Sequence, residues 1–480
     1  MNNHWFYTAL LGAALQGVIY ADTYTLDGTE EPDNIPNFAV NEVDAPVRVK
    51  ISENAPQADT EKDALVRDGD VPLNPPVLVK LPNGELGMSE HYTLVQYNSA
   101  AGNGKKPHTP AGDKKAETKQ AADPAGVNSN NVPYDWNSLS DAEKTAKLNA
   151  AIRSTLIANT KRGLNTQSNS PHDILLMTLP YGADAKVWQP NPNVNPRDKN
   201  DPKGSAVYSI GALCWNYPCA GKTLLRTDGS RIFAKLGFGY QQRTGSLLAM
   251  LSMSNIMPNY ELKVGSAAYS IADLIESEKT SVSSGQNLSQ VLVGLAFYSS
   301  VKEQWKNDLG ETWTIEKMTT EELNRSIDQG SSDVTDWLLG LTAAVKLYES
   351  ERKPVRGSLA LAKKQLKTYQ DFVLSVQNDQ YLWHPKFFLY KGSNPDAYET
   401  LYASGHILRW LLLSLPDKEL QNPAVIRSVA SLTSVVNRIP PAASAGTLTD
   451  RQLEALAVSL HALSVFHQRV FGDEQQTAMQ

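Results

Sequence analysis

Five short segments of this chain are apolar on nearly every side of a helix: Leu247–Met253, Val291–Phe297, Leu338–Ala343, Ile407–Leu412 and Leu456–Ala462. A helix with no polar face must be covered all round by other elements. Most of these segments follow one another at roughly 40 to 50 residues, the period of a two-helix unit, with amphipathic stretches between them. Val334, Trp337, Leu338, Leu341, Val345 and Tyr348, for example, form one continuous helical stripe. Inner helices that alternate with outer ones stack either as an open solenoid or as a closed α/α toroid around a central funnel. Closure is the expected form, because it hides the end units against each other.

This helical body is expected from Tyr134 to Gly472, helical throughout, with residues 473–480 as a tail. Ser140 and Glu143 make a capping box for a first helix reaching about Asn159. Further helices are expected near 172–179, 245–255, 269–281, 287–305, 315–327, 333–350, 357–377, 396–415, 418–437 and 450–471. The stretch 22–133 is polar and rich in Pro, Gly, Asn, Asp and Lys, too poor in apolar surface to offset its chain entropy, and is expected to be a disordered tether. One island within it, 77–97, pairs a strand at Val77–Leu81 with another at Tyr92–Tyr97 around Pro82-Asn83-Gly84.

Residues Trp5 to Tyr20 form a run of about sixteen mostly apolar residues, short for a membrane span and suited to a signal peptide ending at Ala21. An exported protein is expected, with N-terminal anchoring if the signal stays uncleaved and no span in the mature chain. The two cysteines, Cys214 and Cys219, flank Pro218, and in an oxidising compartment the turn invites a disulfide between them. Their spacing suits no zinc site, and no metal is expected. The formal net charge of −6 implies no general attraction to nucleic acid.

The segment Lys367, Phe372, Val373, Gln377, Trp383 resembles the QW motif of the terpenoid-cyclase and prenyltransferase superfamily of α/α toroids, with Tyr381 in place of the usual Gly. The resemblance implies that Gln377 and Trp383 are structural staples between successive units. The body from about 205 to 472 also resembles a family of uncharacterised exported proteins typical of planctomycete bacteria, through Trp215–Gly221, Trp305–Glu311, Ser404–Leu408 and Val470–Gly472. That likeness implies a fold and no activity. The defining residues of each known toroid chemistry are missing: the cyclase Asp-x-Asp-Asp acid, the prenyltransferase zinc set and the thioester Gly-Cys-Gly-Glu-Gln. Asp333 and Asp336 are the nearest acidic pair, placed to serve the dipole of a helix start. No cofactor is expected.

A binding or scaffolding module at the cell envelope is the leading expectation, with an envelope polysaccharide or a protein as partner. A glycan-active lyase or hydrolase is the rival. Its site would lie in the funnel, where Arg243, Asn287, Gln290 and Asp336 start inner helices and His406 and His461 flank two others. Trp337 and Trp410 are the candidates for stacking on a ligand. A non-catalytic terpenoid or lipid binder is the third reading. Polar, carboxylate-bearing walls would favour the enzyme, dry aromatic walls the lipid binder, and a plugged funnel the scaffold.

Overall fold

The computed structural model describes residues 71–72, 78–80, 86–88, 141–160, 162, 164–190, 204–327, 331–388, 390–439 and 448–477. The signal peptide, Ser140 with its capping box, and Tyr92–Tyr97 lie outside them. Twelve α-helices are described: α1 Asp141–Thr160, α2 Pro171–Thr178, α3 Ser209–Cys214, α4 Ser246–Met253, α5 Ile271–Ser281, α6 Ser289–Tyr298, α7 Ile315–Asn324, α8 Ser331–Ser350, α9 Gly357–Ser375, α10 Ala397–Ser414, α11 Pro423–Arg438 and α12 Asp450–Thr477. The last helix thus runs on into the segment expected to be a tail.

Local chemistry fixes several of the starts. Ser170 and Asp173 form a reciprocal capping box at α2, with Pro171 at its first position, and Ser270 and Asp273 repeat the box at α5. Thr314 caps α7, Asp396 caps α10 and Asn422 caps α11.

The five apolar segments lie in α4, α6, α8, α10 and α12, and these helices contact one another in that order. Helix α12 also packs on α2, and α2 touches α4. The remaining helices pack on this set: α1 on α12, α3 on α2, α5 on α6, α7 on α8, α9 on α8 and α10, α11 on α10 and α12. The central helices approach closely where glycine removes a side chain. A Cβ on Gly294 of α6 would stand 2.7 Å from Leu248 Cγ of α4. One on Gly405 of α10 would stand 2.6 Å from Ser459 Oγ and 2.9 Å from the Ser459 nitrogen of α12. The core between the layers includes Trp313, Trp337, Trp383, Trp410, Phe387 and Phe466, all fully buried.

The body is not helical throughout. Antiparallel pairs join β4 Lys186–Pro190 to β5 Gly204–Tyr208, β6 Leu225–Thr227 to β7 Ile232–Ala234, β8 Glu261–Val264 to β9 Ala267–Ser270, and β10 Trp305–Lys306 to β11 Thr312–Trp313. The expected helix 287–305 ends at Tyr298 for this reason: after Ser299 the chain turns and enters β10. In the N-terminal stretch, β2 Leu78–Lys80 pairs with β3 Leu86–Met88, a closer partner than the expected Tyr92–Tyr97, since the shorter connection closes at a lower entropy cost. The dipeptide β1 Val71–Pro72 pairs with β12 Tyr390–Lys391, between α9 and α10.

After α9, Trp383 Nε1 donates to Val373 O at 2.7 Å, its backbone nitrogen donates to Ser404 Oγ on α10, and Gln377 Nε2 donates to Ser428 Oγ on α11 at 2.6 Å. The two residues thereby fasten the end of α9 to two further helices, Trp383 through its backbone and Gln377 through its side chain. Cys214 and Cys219 are both free and buried. The disulfide expected between them is not formed: Cys214 ends α3 inside the core, and Cys219 Sγ is turned to the Tyr217 carbonyl.

Candidate functional site

The starts of the central helices bring polar side chains to one place. Arg243, in the turn before α4, donates from Nη1 to Asp333 Oδ1 at 3.0 Å and pairs with Asp336 Oδ2 at 3.1 Å. Asp333 and Asp336 lie one turn apart on α8, so one guanidinium spans both. Asn287 Nδ2, before α6, donates to the same Asp333 Oδ1 at 3.3 Å. From α10, Arg409 Nη2 donates to Asp336 Oδ1 at 3.1 Å. Sequence positions 243, 287, 333, 336 and 409 therefore form one hydrogen-bonded group.

The group continues onto α12. His406, one turn before Arg409, presents Nδ1 to Thr335 Oγ1 and Nε2 to Glu454 Oε1, each at 3.4 Å. The Tyr402 hydroxyl lies 3.4 Å from the same carboxylate oxygen, and the Tyr402 ring packs on His406 at 4.6 Å between centroids. Glu454 keeps 18% of its side chain exposed, whereas His406 keeps only 3%. Arg451, paired with Glu399, covers the Tyr402 ring from outside. Gln242 meets His172 Nε2 of α2 at 2.9 Å. A second buried carboxylate, Glu322 of α7, accepts from the Leu288 nitrogen and from Ser289 Oγ at the start of α6, so its work is to cap that helix.

These environments separate the protonation states. Burial alone would raise the Glu454 carboxyl, but His406, His172 and Arg451 outweigh it and hold it below its ordinary value. Burial pushes the Tyr402 phenol well above its ordinary value, and Glu454 adds to the effect. His406 and His172 are both pushed down by burial. Burial opposes the charge on Arg243, yet Asp336 and Asp333 raise it further. At neutral pH the site therefore sets an ionised carboxylate beside a protonated phenol and a neutral imidazole, an acid–base pair whose members are driven apart. Four of its buried nitrogens lack a protein partner in hydrogen-bond geometry: His172 Nδ1, His406 Nε2, Arg409 Nε and His461 Nδ1.

Of the residues singled out in the sequence, Arg243, Asn287, Asp336 and His406 come together here. Gln290 is buried on α6, and His461 is sunk below the group on α12 beside Arg409, its pKa lowered by burial to about 3. Trp337 and Trp410 are not available for stacking: both are fully buried, and their indole nitrogens donate to Glu322 O and Thr342 Oγ1. They pack the core because α8 and α10 are enclosed on all sides. Tyr402, Arg409, Glu454 and His172 were not singled out from the sequence. Their signal is the spacing, since Tyr402 and Arg409 stand four before and three after His406, and Glu454 stands seven before His461, on shared helix faces.

Among the described residues, no three or more His, Cys, Asp and Glu side chains converge as a metal ligand set, and no helix is long and apolar enough to cross a membrane. No family model, curated protein or solved structure matches this chain.

Proposed function

We propose that this is an exported glycan-active enzyme, a lyase or hydrolase, built on a closed α/α toroid whose catalytic mouth lies at the starts of the inner helices. The observation that carries the reading is the approach of Tyr402 and His406 of α10 to the partly open Glu454 carboxylate of α12, with the Arg243–Asp336 pair linked to the same helix α10 through Arg409. Closure of the toroid is supported by the contacts of α12 with α2 and of α2 with α4, which join the two ends of the inner series.

In this reading Glu454 takes a proton, either from the sugar carbon next to an acidic group or from a water that attacks the anomeric carbon. Tyr402 gives its hydroxyl proton to the departing glycosidic oxygen. The proton then passes from Glu454 to Tyr402 across their contact, restoring both groups. His406, 3.4 Å away, favours the ionised form of the carboxylate. Asn287 and Arg243 offer a wall of donors to sugar hydroxyl and carboxyl groups. An isoprenoid would meet polar and ionised side chains here in place of a dry aromatic wall, which weighs against the lipid binder.

The test is to incubate the full-length protein with neutral and acidic polysaccharides and measure new reducing ends together with the ultraviolet absorbance of an unsaturated product. Absorbance marks a lyase, and reducing ends without it mark a hydrolase. Activity should fall by about 10²-fold or more in Glu454→Gln while the thermal midpoint is kept. Binding without any product would overturn catalysis and leave a glycan-binding module, the role expected first from the sequence.

A further inference from the structure

The apolar side chains exposed on this molecule are not scattered. Of the nine large ones among the described residues, seven lie between Trp188 and Met257. Three of the exposed rings in this stretch carry a lysine ammonium over their faces: Lys186 over Tyr208 at 5.2 Å, Lys263 over Trp215 at 4.2 Å and Lys222 over Phe238 at 4.8 Å. Lys222 also stands 5.3 Å from the Tyr240 ring. The one carboxylate paired with these lysines among the described residues is Glu261, 3.2 Å from Lys263.

Backbone pairing joins the Tyr208 and Phe238 groups into one belt that ends at the mouth, and Trp215 follows α3, which begins directly after Tyr208. In the β4–β5 ladder Lys186 lies opposite Tyr208, and Trp188, two residues on, shares the outward face of β4. The backbone of Trp188 bonds to Leu164 and Thr166, and the Ala220 nitrogen donates to Thr166 O, which brings the Cys219–Lys222 turn alongside. Lys222 Nζ donates to Phe238 O at 2.8 Å. The His172 nitrogen donates to Gly239 O, so the Phe238 loop rests on the start of α2, beside the Gln242–His172 contact. Phe238 is 81% exposed at this rim.

We infer that the belt formed by Lys186, Trp188, Tyr208, Trp215, Lys222 and Phe238 binds an acidic polysaccharide and leads it to the mouth at Phe238. The chemistry is complementary on both counts. Pyranose rings present C–H faces that stack on exposed aromatic rings, and the lysines at Tyr208, Trp215 and Phe238 meet a carboxylate or sulfate on the same sugar. A neutral glycan would use the rings and leave the ammonium groups unanswered. The mouth as destination rests on the enzymatic reading above, whereas binding by the belt does not.

The experiment measures retention of the full-length Glu454→Gln protein in affinity gels containing polygalacturonate, dextran sulfate or a neutral glucan. Phe238→Ala, Trp215→Ala and Lys222→Gln are compared in that background, with thermal midpoints and sedimentation as controls. Retention is expected in both acidic gels and weak in the neutral one, to fall with added salt, and to drop about 5- to 30-fold in each variant. Equal retention by the neutral glucan, or retention unmoved by all three variants, overturns the inference. So does a wild-type chain that self-associates through these rings and comes apart in the variants. Polysaccharide binding by the belt with no product from the wild-type protein would keep the belt and sink the enzyme. Cleavage unaffected by the belt variants would do the reverse.

Discussion

The hydroxyl of Tyr402 and the carboxylate of Glu454 lie 3.4 Å apart on neighbouring helices, one driven toward protonation and the other toward ionisation. Because His406 contributes to holding Glu454 low, His406→Asn should raise the carboxyl and shift the acid limb of kcat/KM to higher pH. Glu454→Gln and Tyr402→Phe should each cost about 10²- to 10⁴-fold in kcat. A pH–rate profile of the three variants with the best polysaccharide substrate checks this. An acid limb unmoved in His406→Asn would mean that another group sets it.

Acid should unfold this protein through its histidines. His461 is fully buried, with its pKa lowered by burial to about 3, and His172, His406 and His467 are shifted in the same direction by burial. A group depressed in the folded state contributes stability above its unfolded pKa, near 6.5, and loses it as pH falls toward the folded value. Between pH 6 and 4, His461 alone should cost about 1.4 kcal/mol per pH unit. Denaturant titrations at several pH values should show this slope, and His461→Gln should flatten it.

The glycine crossings predict a steric pattern. Gly405→Ala places a methyl group 2.6 Å from Ser459 Oγ and 2.9 Å from a backbone nitrogen, and Gly294→Ala places one 2.7 Å from Leu248. Each should destabilise by roughly 1–3 kcal/mol. Gly472→Ala, on α12 with nothing within 4 Å of its new carbon, should be neutral or stabilise by up to about 1 kcal/mol. Thermal melts of the three variants separate these outcomes.

Thiol titration addresses the cysteines. Burial raises Cys214 beyond the range of ordinary thiols and pushes Cys219 up to about 12. A disulfide-exchange reagent should label neither in the native protein and both after denaturation without reductant. Two thiols that stay silent in denaturant would show that the pair had oxidised.

The helices were legible where periodicity was long. Each all-round apolar segment marks a central helix, and the stripe from Val334 to Tyr348 lies within α8. Helix α3 escaped notice because six residues give no period. The hairpins between Lys186 and Trp313 escaped because strands of two to five residues offer too few alternations to stand out from turns. Half of the site was visible for a related reason. Arg243 and Asn287 stand at helix starts, which the pattern locates, whereas Glu454 gains its meaning only from Tyr402 and His406 on another helix. Trp337 and Trp410 misled because aromatic residues on an enclosed helix look the same in sequence whether they face a funnel or the core.

The contact of α12 with α1 and α2 has a consequence for the order of assembly. Helix α2 emerges from the ribosome almost 300 residues ahead of α12, the helix that covers its flank. The side of α2 that meets α12 must therefore wait uncovered while the intervening helices are made. Glu454, carried by α12, can meet Tyr402 and His406 only once that helix has left the ribosome. A chain that stops before α12 holds most of the hydrophobic core and Tyr402 but lacks Glu454, so the docking of α12 is also what brings the pair together.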